Sequence, residues 1–152
     1  MTDHSLGETG PPLLGLLLRL AGQHWGVDVD AALRAAGFGD IRAAHANVFP
    51  FVPPEGIQPS RLARLARVRK QTMMQTLEEL ERGGYIERRA DPEDGRARLV
   101  FLTRRGDEVR ALAVEASHQV TRRWSALTSP EQIQELTRSL AHLLARLGET
   151  SR

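Results

Sequence analysis

The feature that most constrains this chain is the order of elements between Gly56 and Gly106. Two short Arg-rich helical patterns flank a tight turn, and two short β patterns around a polar loop follow at once. Residues 60–66 predict one helix, with Leu62 and Leu65 inward and Arg61 and Arg64 outward. The turn 67–70 leads to a second helix over 71–82, closed by Gly83-Gly84. Residues 85–89 and 97–103 predict strands around the loop 90–96. Two helices joined by a tight turn make a helix-turn-helix, and a ribbon behind the second helix makes it winged. A helix so placed fits a DNA major groove, while the ribbon can follow the backbone towards the neighbouring minor groove.

Charge singles out the same stretch. Residues 56–105 hold 12 Lys and Arg against 7 Asp and Glu, whereas the rest holds 9 against 12, within a formal net charge of only +2. Of the 21 cations all but Lys70 are Arg, which stays charged and forks onto phosphate oxygens. The asymmetry suggests an anionic partner for the middle of the chain; a solvated charged face is the alternative.

The remaining residues supply apolar stripes. A polar tail over 1–10 precedes Pro11-Pro12, which suit a first helical turn. Leu13, Leu17, Leu20, His24, Val27 and Ala31 then form a seam on one long helix ending before Gly37. Asp40 is expected to cap a second helix with Ile41, Ala44, His45 and Val48 inward, ended by Pro50 and Pro53-Pro54. A fifth helix begins near Gly106 with Val109, Leu112, Ala116, Val120 and Trp124 on one face. Ser129-Pro130-Glu131-Gln132 is a capping box for a sixth helix carrying Ile133, Leu136, Leu140, Leu143, Leu144 and Leu147. At 152 residues this is one mainly α domain with a small β-hairpin wing: a DNA-binding lobe at about 56–105, and dimerisation helices at about 11–55 and 106–148. Stripes with so little else to cover them point to a homodimer, with burial inside one chain as the alternative.

Within the winged unit, Met73, Leu77 and Leu80 share a narrow sector of the fourth helix and dock it. Gln71 and Gln75 point the opposite way, flanked by Thr72 and Met74. Gln suits adenine, and Thr and Met methyls suit the thymine methyl. Glu78, Glu79 and Glu81 sit in the C-terminal half, away from the end that would approach phosphate, and the pair Glu78-Glu79 reads as a solvated face. The wing carries Arg88, Arg89, Arg96 and Arg98; Arg96 is the candidate for a minor groove, with Asp94 orienting its guanidinium. Arg61, Arg64, Arg69 and Lys70 read as backbone contacts.

These residues carry a resemblance. Leu62-Ala63, Leu80-Glu81, the run 84–88 (Gly-Tyr-Ile-Glu-Arg), Asp91-Pro92, Asp94 with Arg96, and Leu102-Thr103 with Gly106 follow the pattern of MarR-type (multiple antibiotic resistance regulator) transcription factors. The chain resembles that family along essentially its whole length. The resemblance implies an obligate homodimer, double-stranded DNA with a roughly palindromic operator as partner, and often relief by a small aromatic or phenolic ligand lying between the dimer helices and the DNA-binding lobe. Trp25, His45, Phe49 and Phe51 fall near where such a ligand pocket is expected; core packing explains them equally. Met74 and Gln75 stand where many relatives carry Ser or Thr and Arg, so operator preference is not carried over. Pro50 breaks the second helix earlier than the family pattern would.

Other chemistries find less support. No Ser/His/Asp order, Gly-rich phosphate loop or HExxH is present, so no enzyme and no cofactor is expected. Zero Cys excludes disulfides and Cys-ligated zinc. A metal-responsive regulator of the same fold would need His24, His45 and His118 to converge, but no His pair has helical ligand spacing. The apolar run 13–20, broken by Gly15 and Arg19, is too short for a membrane span and lacks a basic leader, so residence in the cytoplasm is expected. A repressor is the simpler expectation than an activator, because occluding a promoter needs only binding.

Overall fold

The computed structural model describes residues 13–150. The expected tail over 1–10 and the Pro11-Pro12 helix start lie outside the described residues. The elements run α1 (Leu14–Ala35), α2 (Ala43–Ala46), a 3-10 turn (Phe49–Phe51), α3 (Pro59–Leu65), α4 (Lys70–Arg82), β1 (Ile86–Ala90), β2 (Arg98–Leu102), α5 (Arg104–Leu127) and α6 (Pro130–Thr150). The fold is mainly helical with one antiparallel hairpin, a winged helix-turn-helix. It divides into two compact units, Met1–Ala113 and Val114–Arg152, with α5 starting in the first and ending in the second.

Three helices of the first unit stop in the same way. After α1 the N–H of Gly37 reaches the carbonyl of Arg34 and that of Phe38 reaches Leu33. After α3, Arg67 bonds to Arg64 and Val68 to Ala63; after α4, Gly84 bonds to Glu81 and Tyr85 to Leu80. Each pair is a Schellman stop, which needs a left-handed residue at its centre. Gly37 (φ 92°) and Gly84 (φ 76°) supply it without steric penalty, whereas Arg67 (φ 53°) adopts it at a cost of about 1–2 kcal/mol. The next residue in each case, Phe38, Val68 or Tyr85, turns into the core beside Leu33, Leu62, Met73, Leu77 and Leu80.

The hairpin pairs Ile86 with Leu102 and Ala90 with Arg98 at its two ends. Its middle is joined to the loop before α3, where Ile57 and Val100 exchange both backbone hydrogen bonds, at 3.1 and 2.8 Å. The start of α5 is set by Thr103, whose hydroxyl accepts from the Gly106 N–H at 3.2 Å and donates to the Gly84 carbonyl at 2.6 Å. At α6 the Ser129 hydroxyl accepts from the Gln132 N–H at 3.2 Å, the expected cap.

Several expectations change. Asp40 does not cap α2: Arg42 stands at the N-cap, and Asp40 accepts a hydrogen bond from Tyr85 instead. With only four residues in α2, Ile41, His45 and Val48 are buried but Ala44 faces solvent. Pro50 does not end a helix; it lies inside the 3-10 turn, near whose start its missing N–H is tolerated. Leu65 is exposed, because α3 ends there and Ala63 takes the inward position beside Leu62. Lys70 opens α4 rather than closing the turn.

The two long stripes are uncovered. Leu13, Leu17 and Val27 on α1 are 78, 40 and 68% exposed, and Leu144 on α6 is 61% exposed. On α5 the expected face holds, with Val109, Ala116 and Val120 buried and Leu112 and Trp124 half-buried. No helix among the described residues is long and apolar enough to cross a membrane.

Among the described glycines, Gly106 is the tightest position for a side chain. A Cβ there would lie 2.1 Å from the Tyr85 carbonyl oxygen, whereas one at Gly148 would meet nothing within 4 Å. Gly106→Ala is therefore expected to lower the unfolding free energy by about 3 kcal/mol or more. Gly148→Ala should leave it unchanged or raise it by up to about 1 kcal/mol. Urea unfolding of the two variants checks the contrast.

Candidate nucleic-acid interface

The outward face of α4 is polar because its inward face takes every large apolar residue but one. Met73, Leu77 and Leu80 are buried, and Thr76 beside them folds its hydroxyl back to the Thr72 carbonyl at 3.0 Å. Gln71, Thr72, Gln75 and Glu78 are exposed, and Met74 is half-buried between them. The first turn holds no acidic residue, and its N-cap, Arg69, makes no side-chain capping bond, so the N–H groups of that turn lack a side-chain cap. Arg61, Arg64, Arg69 and Lys70 are all exposed on or beside these two helices. Arg67, at the left-handed turn position between α3 and α4, adds an exposed cation that the sequence reading did not single out.

On the wing, strand alternation separates the arginines. Arg96 and Arg98 are exposed. Arg89 lies over the Phe101 ring, 4.4 Å from its centroid, and pairs with Glu87. Arg88 faces α4 and pairs with Glu81 at 2.8 Å, its side chain only 15% exposed. Arg88, expected with Arg96 among the DNA-contacting arginines of the wing, is thus turned inward: on a strand with Ile86 inward, residue 88 falls on the inward face. Asp94 bonds to the backbone N–H of Arg96 at 3.1 Å, so it shapes the turn and does not orient the guanidinium.

Behind this surface lie two polar clusters. Tyr85, 1% exposed, donates to Asp40 at 2.6 Å and accepts from Arg105 at 2.9 Å, with the Arg105 guanidinium 4.7 Å from its ring centroid. Glu79 of α4 bonds to the His45 Nε2 at 2.8 Å and to Arg42, while His45 Nδ1 accepts from the Arg42 backbone N–H at 3.1 Å. That network makes His45 the Nε2–H tautomer. Glu79 is thus not part of a solvated face: it ties α4 to α2.

A sequence profile of the MarR family matches residues 52–97. The chain is 33% identical to the transcriptional repressor MprA of Escherichia coli K12 over 96 residues, 61% of this chain and 53% of that protein. It thus spans about half the length of the curated relatives it matches. A crystal structure of MarR superimposes with a TM-score of 0.70 at 29% identity, covering 92% of this chain and 99% of that one. Residues 52–97 thus match the MarR family, and the fold is that of MarR. A probable transcriptional regulator from Pseudomonas aeruginosa is similar too, with a TM-score of 0.67, 30% identity, and coverage of 88% of this chain and 96% of that one.

The four expected ligand residues differ in exposure. His45 borders an open cleft of about 450 Å³ with Asp40, Arg42, Glu79, Arg82 and Gly83. Phe49 is 3% exposed and perpendicular to the Tyr85 ring in the core, so it is committed to packing. Phe51 is exposed and Trp25 half-buried. No group of three or more His, Asp or Glu side chains among the described residues could hold a metal ion.

The clusters set how stability responds to pH. Hydrogen bonds from His45, then from Arg42, hold the Glu79 carboxyl below its ordinary range, and the Tyr85 hydroxyl does the same to Asp40. Contributions of that sign are fully present above the unfolded carboxylate pKa and are lost as pH falls through the lowered folded values. Burial, then the bond to Asp40, pushes Tyr85 up, a contribution present below about pH 10 and lost as pH rises through the folded value. Unfolding free energy is expected to fall below about pH 4 less steeply in Glu79→Gln than in wild type. Above about pH 10 a decline present in wild type should be absent from Tyr85→Phe, which removes the chain's one tyrosine. Urea titrations across pH test both limbs.

Proposed function

We propose that the chain is a homodimeric, sequence-specific DNA-binding transcriptional regulator that represses by occupying a pseudo-palindromic operator in the cytoplasm, and that it is not an enzyme. The observation that carries this reading is the exposed polar face of α4 bordered by free arginines. Gln71, Thr72, Met74 and Gln75 would meet base edges. Arg61, Arg64, Arg69, Lys70 and the uncapped first turn of α4 would meet phosphates. Arg96 and Arg98 would reach the minor groove, with Asp94 holding the wing tip. Residues 56–105 form the reading lobe in this scheme, and the helices at 11–55 and 106–148 pair two copies through the uncovered stripes of α1 and α6. Relief by a small aromatic or phenolic ligand completes the proposal. The cleft at His45 favours a ligand with a polar end, since Arg42 and His45 both border it.

Selection of duplexes from a random pool, followed by footprinting, tests the reading. Two half-sites are expected with centres about 10–10.5 bp apart or a multiple of that. Affinity should fall roughly 10³–10⁵-fold between about 50 and 200 mM salt if ~6–10 phosphates are neutralised. Gln75→Ala should relax preference at one base pair by about 1–3 kcal/mol. Arg96→Ala should weaken operator and scrambled duplex alike, with a shallower salt slope. A flat salt response would remove DNA as the partner.

Sedimentation tests the pairing. Leu144→Glu should yield a destabilised or aggregating chain, whereas a wild-type monomer of full thermal stability would eliminate the dimer.

A further inference from the structure

Arg88 and Glu81 are joined in a way that DNA contact alone does not require. Arg88 sits opposite buried Val100 on the face of the ribbon turned towards α4. Its Nε and Nη2 approach one carboxylate oxygen of Glu81 at 3.0 and 2.8 Å. Glu81 belongs to the last turn of α4, directly after core Leu80. The covalent link between the two elements is Gly83-Gly84 and Tyr85, and glycines place little torsional preference of their own on a corner. Ile86 is buried at the base of the ribbon, and the Ile57–Val100 bridge ties β2, at the level of Arg88, to the loop before α3. The ion pair ties β1 at that same level to α4, and it spans the glycine corner from helix to strand.

We propose that the Arg88–Glu81 pair is the strut that fixes the direction of the wing relative to α4, and that Arg88 is a positioning residue which does not touch DNA. This rests on the DNA-binding reading above. Two contact elements on one body reinforce each other only when their geometry lets both engage together, because the second contact then forms at high effective concentration. A wing that swings relative to α4 loses that advantage while keeping every DNA-facing side chain. A guanidinium with a buried stem and a forked grip suits the role better than Lys would.

The experiment uses the full chain and a duplex selected from a random pool, with affinity read by fluorescence anisotropy and folding by thermal unfolding. If wild type selects no duplex, the DNA-binding reading fails and the strut falls with it. If wild type binds, Arg88→Gln should weaken binding about tenfold, the equivalent of ~1.4 kcal/mol, with near-native unfolding. The charge swap Glu81→Arg with Arg88→Glu should recover most of the loss. In a background that combines Arg96→Ala with Arg98→Ala, Arg88→Gln should change affinity little, because the wing then has little left to position. Should Arg88→Gln fail to fold, Arg88→Lys, which keeps the charge and the stem, is read against the same swap and background. Unchanged affinity on substitution overturns the proposal. So does a loss that the swap does not repair and that persists in the background lacking both Arg96 and Arg98, since that pattern marks a direct phosphate contact.

Discussion

Tyr85 is the side chain on which the first unit depends. Its ring meets Phe38 and Phe49, with centroids 6.2 and 6.3 Å away, and so joins the end of α1 to the 3-10 turn. Its hydroxyl links Asp40 to Arg105, and its backbone N–H closes α4 on Leu80. Its carbonyl takes the Thr103 N–H and lies where a side chain at 106 would have to go. A buried hydroxyl without partners would cost about 1–3 kcal/mol, but here both its donor and acceptor capacities are used. One residue therefore anchors four segments that are distant in sequence, and the polar atoms that make this possible are satisfied.

The carboxylates of α4 take on a role that charge alone does not suggest. Glu78 faces solvent, while Glu79 is gripped by α2 and Glu81 by the wing. The helix is thus held by apolar contacts along one stripe and by ionic contacts towards its C-terminal end. In its first two turns Met73 and Thr76 are buried, while Lys70, Gln71, Thr72 and Gln75 face outward and make no ionic contact. A MarR-family lobe of this kind keeps its adaptable end outward by fixing the opposite one.

Much of this was legible in the sequence, for reasons specific to each element. The spacing of Met73, Leu77 and Leu80 identified the docking face of α4, and the glycines after α1 and α4 marked their stops. Ser129 marked the start of α6. The residues that escaped were those whose role depends on a distant partner. Asp40 has the composition of an N-cap, yet Tyr85 lies 45 positions away and takes its carboxylate. Glu79 resembles surface charge until His45 is placed beside it. Arg88 was readable in principle, because strand alternation from Ile86 turns it inward, but a count of cations treats all wing arginines alike. Short α2 eluded the reading because four residues carry almost no periodicity.

The repeated helix stop has a consequence for how such a chain can change. In α1, α3 and α4 the left-handed residue is followed at once by one that enters the core, so the helix end and the anchor are a single unit. Adding or removing one residue inside any of these helices would rotate everything on one side of the change by about 100°. The anchor would swing out of the core, or the opposite face would lose its register. The wing tip around Gly95 has no such linkage, since a Cβ there would meet nothing within 4 Å. Length variation among descendants of this sequence should therefore gather at the hairpin tip and spare the helices, leaving the reach of the wing free to drift while the spacing of its supports stays fixed.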